Sequence, residues 1–234
     1  MKISLLWIAC FSSSFFALAQ EKTVVLTFDD ASASHYTVAG PLLKNYGFGA
    51  TFYVCEFPPD FPDSSKYLNW RQIKELSNMG FEIGNHTWHH TVVTTIDTAT
   101  LEKEIAYIED KCLESGIPRP VNFAYPGCDV SEAAVALLRK RGYLSARTCV
   151  GKAYERDKDD PFHLPAYGIA GTDTSTFYNA LEGQKENEII VFLFHGVPDN
   201  AHSWVNTPEE IFRRYMAYLY NKGYKVLALK DVVK

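Results

Sequence analysis

Apolar, β-branched runs alternate with stretches of helical periodicity along almost the whole chain, and this restricts the fold more than any other feature. Residues 23–28, 50–54, 81–84, 121–125, 143–147, 188–194 and 224–229 read as strands, the run 188–194 being the most apolar. Residues 37–46, 70–79, 98–115, 131–141, 177–182 and 208–222 read as helices. Gly47, Gly80, Gly116 and Gly223 follow helix ends, where glycine stops a helix well. Thr207 is expected to cap the last long helix. Residues 56–69, with Pro58, Pro59 and Pro62, and 151–175 read as loops, with short strand content near 164–169. There is no repeat or low-complexity linker, and a hydrophobic content of 47% is enough for one core. The expected class is α/β: mostly parallel strands in a sheet or distorted (β/α) barrel, with helices outside.

In such folds the chemistry collects at the carboxyl ends of the strands. Those ends carry Asp29-Asp30, Asn85-His86-Thr87-Trp88-His89-His90, Tyr125-Pro126-Gly127, Arg147 and His195-Gly196. Neighbouring residues on a strand point to opposite sides, so two adjacent acids can do two tasks. His86 and His90 are four apart and would share a face in one helical turn. With Asp30 they make a His-His-Asp set, which leaves positions for water and substrate as a catalytic zinc site requires. His89 is a rival for the second histidine position. His195, behind the apolar run, has an intrinsic pKa suited to proton delivery.

Lys2, an apolar run over 3–18 and Ala17-Leu18-Ala19 read as a signal peptide cleaved after Ala19. This gives segments 1–19 and 20–234, the second a single domain, secreted or periplasmic, with a lipid anchor at Cys10 as the alternative. The apolar run is too short and too rich in serine for a membrane span. The net charge is −5 and there is no basic block, so nucleic acid is not an expected partner, and nothing implies a protein partner. Cys55, Cys112, Cys128 and Cys149 would remain after cleavage and allow three pairings. Cys128 and Cys149 follow successive strands and are the first pair to test. No Cys-x-x-Cys occurs, so a thiolate zinc site is not indicated.

Thr27-Phe28-Asp29-Asp30, then His86-Thr87-x-x-His90, then Leu193-Phe194-His195 resemble the successive motifs of the NodB-type polysaccharide deacetylases, carbohydrate esterase family 4. The resemblance covers nearly all of 20–234. It implies a distorted (β/α) barrel of the NodB homology type and a divalent metal, usually Zn2+, with Co2+, Ni2+ or Mn2+ as alternatives. It implies hydrolysis of N- or O-linked acetyl groups on a carbohydrate, such as a cell-wall or extracellular polysaccharide. By position Asp29 would be the base, His195 the acid, and Asp30, His86 and His90 the metal ligands. Leu193 would line the acetyl pocket, and a backbone N–H near Tyr125 would face the oxyanion.

Two departures stand out. Ala124, in Phe123-Ala124-Tyr125-Pro126, occupies the place of an arginine that orients the base, and the family's Asp-Trp motif has no clear counterpart. Arg147, at the end of the next strand, is the candidate replacement. Sugars present apolar C–H faces, so aromatic contacts are expected. Trp88 and Trp204 rank first among candidates that include Tyr125, Tyr53 and Phe57. Two rival functions are a small-molecule amide hydrolase on the same barrel and an inactive carbohydrate-binding relative.

Overall fold

The structure is a computed structural model that describes residues 22–233 apart from Pro58 and Asn200; the proposed signal peptide lies outside the described residues. One sheet contains β1 (Thr23–Phe28), β2 (Thr51–Val54), β3 (Glu82–Asn85), β4 (Asn122–Ala124), β5 (Ser145–Arg147), β6 (Tyr154–Glu155), β7 (Tyr167–Gly168), β8 (Glu188–Phe194) and β9 (Lys225–Leu227). The helices are α1 (Gly40–Tyr46), α2 (Trp70–Asn78), α3 (Thr98–Glu114), α4 (Glu132–Lys140), α5 (Ser175–Glu182) and α6 (Glu209–Asn221). Strand order is β5-β4-β3-β2-β1-β8-β6, with β7 also on β8 and β9 also on β1. Every pairing is parallel except β6 with β8. A bridge between Arg147 and Leu164 extends β5, and Tyr167 pairs with Phe192 of β8. The segment 164–168 therefore links β5 to β8 and curls the sheet into a distorted barrel. Among the described residues no helix is long and apolar enough to cross a membrane.

Period-two alternation sorts the strand residues into two faces. Val24, Leu26, Phe28, Phe52, Val54, Ile83, Ile190, Phe192 and Phe194 pack outward in one buried cluster with residues of α1, α2, α5 and α6. Phe123, Tyr125 and Ala146 pack under α3 and α4. Val25, Tyr53, Ala124, Val191 and Leu193 belong to a separate inner cluster. One step further along each strand, the inner parity delivers Asp29 after Val25 and Thr27, His86 after Glu82 and Gly84, Arg147 after Ser145, and His195 after Val191 and Leu193. At the opposite end, Glu82 accepts hydrogen bonds from Thr51 Oγ1 (2.7 Å), Asn122 Nδ2 (2.5 Å) and the Lys230 N–H (2.9 Å). Burial raises its carboxyl above the usual range, and the network closes the barrel floor with satisfied polar groups.

Three local expectations are corrected. The helix expected over 37–46 is entered through a π-helical turn, His35–Ala39. Pro41 has no N–H for the Thr37 carbonyl, so the regular ladder cannot run through this point. Thr207 does not cap α6: its hydroxyl donates to the Ile169 carbonyl at 3.2 Å, and the cap position is Pro208, followed by Glu209 and Glu210. The acids of that first turn still suit the helix dipole. The last strand stops at Leu227 and gives way to a 3-10 turn, Leu229–Asp231.

Candidate active site

Register brings the chemistry together. β1 and β8 pair along their whole length, ending with Phe28 opposite Phe194, and the Asp29 N–H continues the ladder to the Phe194 carbonyl at 2.9 Å. Asp29 and His195 thus leave adjacent strands at one level. The His86 N–H bonds the Val54 carbonyl at 3.0 Å. His86 Nδ1 lies 2.8 Å from the Ala124 carbonyl. A carbonyl only accepts, so Nδ1 carries the proton and Nε2 keeps its lone pair.

That lone pair faces Asp30 Oδ1 at 3.5 Å, and His90 Nε2 lies 3.4 Å from the same oxygen. Asp30, His86 and His90 each offer one ligand atom, all within 4.8 Å of one another. Asp30 Oδ1 is buried and has no hydrogen-bond partner. A carboxylate oxygen and two imidazole nitrogens converging without a proton donor between them suit a divalent cation. Burial works against ionised Asp30, but a second proton on His86, at Nε2 in place of a cation, would bond it and, with the charges of His195 and His90, hold its carboxyl well below the usual range. Burial, with the nearby charge of His86, pulls His90 down to about 4.

The segment from His86 to His90 is not the expected helical turn. Thr87 and His90 have φ of 62° and 55°. The Asn85 side chain accepts from the Thr87 N–H at 2.9 Å, and Thr87 Oγ1 accepts from the Thr91 N–H at 2.8 Å. Side chains thereby take the place of helical bonds. Trp88 and His89 are turned away from the cavity. His89 is tied to Glu104 through its ring (2.7 Å) and its N–H (2.8 Å), which removes it as a rival ligand in this geometry. Trp88 stacks on Tyr107 with centroids 3.9 Å apart and donates to Glu56 at 3.0 Å. It does not line the cavity. Asp30 and Ala31 also have positive φ, 72° and 48°. Left-handed non-glycine residues gathered at one place mark backbone held by its surroundings.

Arg147 is fully buried, and its guanidinium bonds Asp29 Oδ2. It lies opposite Ala124 in the β4–β5 register. The guanidinium therefore enters from the strand beside the one where the resemblance places it, on the same inner face, with only a methyl group at Ala124. Tyr53 lies beneath it, 5.4 Å from ring centroid to guanidinium. A Cβ on Gly84 would fall 2.4 Å from Tyr53 Cδ1, so glycine there makes room for that ring. Asp29 Oδ1 has no hydrogen-bond partner.

These groups open into a cavity of about 580 Å³, also lined by Phe57, Tyr125, Leu193, His202 and Trp204. Tyr125 borders it with its phenol turned away, donating to the Phe162 carbonyl at 3.1 Å. Its N–H bonds the Arg147 carbonyl at 3.1 Å, so Tyr125's own amide is engaged in the sheet. Cys128 and Cys149 form a disulfide on the rim, while Cys55 and Cys112 are free and buried.

A profile of the family described as polysaccharide deacetylase matches residues 18–146. The chain belongs to this family. It is 31% identical over 215 residues to a peptidoglycan-N-acetylglucosamine deacetylase of Bacillus cereus, covering 92% of this chain and 89% of that protein. Among solved structures it is similar to a family 4 acetyl xylan esterase from Clostridium thermocellum in complex with a cobalt ion. That match has a TM-score of 0.61 and 24% identity, and covers 90% of each chain. A family 4 carbohydrate esterase from Streptomyces lividans in complex with acetate has a TM-score of 0.61 and 18% identity, with 88% of this chain and 91% of that one covered. The fold is that of the NodB-type deacetylases.

Two histidines at this site carry no signal in the motifs. His35 is fully buried, and its Nε2 lies 3.0 Å from the His195 carbonyl. Burial pulls it down to about 4. His202 sits on the cavity wall. Both depend on the loop after β8 folding back over the end of β1, where the Val197 N–H bonds Ser34 Oγ at 2.7 Å. A contact of that sequence separation leaves no periodic trace.

Proposed function

We propose that the chain is a metal-dependent hydrolase that removes N- or O-linked acetyl groups from a cell-wall or extracellular polysaccharide. The observation that carries this reading is the division of labour between the adjacent acids. Asp30 faces two imidazole nitrogens, whereas Asp29 is held by Arg147 with one oxygen left free. Asp30, His86 and His90 would hold the metal, Zn2+ being the favoured ion for a carboxylate and two imidazoles. When bound, such an ion polarises an acetyl carbonyl and acidifies a water.

Asp29 accepts the proton of the attacking water at Oδ1, while Arg147 fixes Oδ2 and orients the carboxylate. His195 donates a proton to the departing amine or alkoxide; its Nε2 lies 3.8 Å from Asp30 Oδ2, at the edge of the same cavity. Leu193 supplies an apolar wall for the acetyl methyl, and Trp204 a face for the sugar. We further propose that residues 1–19 are a signal peptide, that 20–234 form a single catalytic domain, and that the enzyme acts outside the cytoplasm on an acetylated carbohydrate. The small-amide reading is less well supported, because the cavity is wide, open and walled by aromatic rings.

The test is acetate release from chito-oligosaccharides, peptidoglycan fragments and acetylated xylan, with and without a chelator. Release that stops on chelation and returns with Zn2+ is expected. Asp29→Asn should keep its metal and lose at least 100-fold in turnover, as expected for removal of a general base (about 10²–10⁴-fold). Loss of metal in that variant would reverse the assignment of the two acids.

A further inference from the structure

The loop after His195 carries a second feature, which neither the metal cluster nor the base uses. Asp199 accepts from the N–H groups of Gly196 (3.2 Å), Ala201 (3.0 Å) and His202 (2.7 Å). Its own N–H bonds Asn206 Oδ1 at 2.7 Å. Gly196 is required here: a Cβ would fall 2.5 Å from the Asp199 backbone. The loop is therefore wound around one carboxylate and holds its side chains in place.

His202 projects from it with both ring nitrogens engaged, Nδ1 3.5 Å from Asp199 Oδ1 and Nε2 3.3 Å from Tyr67 Oη. A ring so held keeps one orientation and presents a fixed face to the cavity. It stands in a row. The His90 and Phe57 centroids are 5.2 Å apart, Phe57 and His202 5.6 Å, and His202 and Trp204 5.4 Å. All four residues line the cavity. The row runs from a candidate metal ligand to an indole that is 75% exposed, the highest exposure among the large hydrophobic side chains described.

The geometry points to Phe57, His202 and Trp204 as a carbohydrate subsite that receives the sugar next to the acetylated one. The subsite makes the enzyme selective for chains over single sugars. Pyranose rings present an apolar face that stacks on aromatic planes, and a row of rings leading outward from the reacting centre fits a chain of them. Its position after His195 supplies an aromatic wall to a site whose sequence lacks the family's Asp-Trp pair. The inference rests on the deacetylase reading and specifies its substrate as an oligomer.

The experiment compares wild type, Trp204→Ala, His202→Ala and Phe57→Ala, with Tyr220→Ala as an exposed aromatic control outside the cavity. Acetate release is measured on mono-, di- and tetrasaccharides of N-acetylglucosamine and of acetylated xylose. Binding of the tetrasaccharides to metal-free protein is followed by tryptophan fluorescence or calorimetry. For Trp204→Ala the ratio of kcat/KM between tetramer and monomer should fall about tenfold, through KM, equivalent to about 1.4 kcal/mol. Tetrasaccharide affinity of the metal-free protein should fall in parallel, and Tyr220→Ala should match wild type in both. An unchanged ratio with unchanged affinity would overturn the subsite. Wild type that releases no acetate from any length, yet binds tetrasaccharide through Trp204, would overturn the hydrolase reading and leave the subsite standing.

Discussion

Asp29 and Arg147 are the two opposite charges most fully withdrawn from water at the head of the barrel, and their side chains are 4% and 0% exposed. Taking both from water is costly, and the pair survives because each is the other's partner. Arg147 Nε and Nη1 find no further acceptor, so the pairing with Asp29 is the main compensation for its charge. Removing one member strands the other. Arg147→Met is therefore expected to lose about 3–5 kcal/mol of stability, as for other broken buried pairs, together with turnover. Joining it to Asp29→Asn should recover part of that stability but none of the activity. Urea denaturation of the four proteins in the cycle measures the coupling. Additive losses would mean that Arg147 is held by packing on Tyr53 and not by the acid.

At the level of elements, the loop that carries the proposed metal ligands His86 and His90 is clamped from outside. Glu56 receives Trp70 Nε1 (2.9 Å), Trp88 Nε1 (3.0 Å) and the Tyr107 hydroxyl (3.1 Å), which joins the end of β2 to α2, the loop and α3. Glu104 of α3 takes both bonds from His89. Asn85 donates to the Ile105 carbonyl at 2.9 Å and to Tyr143 at 2.8 Å. Two left-handed residues in six positions need such support, since each costs about 1–3 kcal/mol. Trp88 thus works as an anchor of the loop, although its place inside the motif marks it for substrate contact. Partners behind metal ligands commonly contribute 10–100-fold in affinity. Glu56→Ala and Glu104→Ala are expected to weaken Zn2+ binding by roughly that factor, measured by competition with a chromophoric chelator. Glu114→Ala, on the exposed side of α3, is the control. Full Zn2+ affinity in both loop variants would show that the ligands hold their geometry unaided.

Across the molecule, what the sequence made legible was local or periodic. The 188–194 strand is found with those bounds, and continuing the two-residue period past each strand end points Asp29, His86, Arg147 and His195 inward together. What escaped depends on contacts between distant segments: the clamp on Glu56, the Asp199-wound loop, and His35. That histidine packs against the rings of both Phe28 and Phe52, each 5.4 Å away, and its Nε2 lies 3.0 Å from the His195 carbonyl. It ties the outer core to the loop that carries the proposed acid, so its protonation is a property of the whole fold. Burial holds it neutral, with a folded value of about 4 against an ordinary 6.5. Between those values the unfolded chain takes up a proton that the folded chain refuses. Its contribution is therefore complete above pH 6.5, declines as the pH falls through that window, and levels off below about 4. At 1.36 kcal/mol per unit the total is on the order of 3 kcal/mol. His35→Gln keeps an N–H for the His195 carbonyl and removes the titration. Stability measured by urea at half-unit intervals from pH 7.5 to 3.5 should fall less steeply in the variant within that window, the difference approaching about 3 kcal/mol. Parallel curves would place the acid sensitivity of the fold elsewhere, in the carboxylates at the head of the barrel.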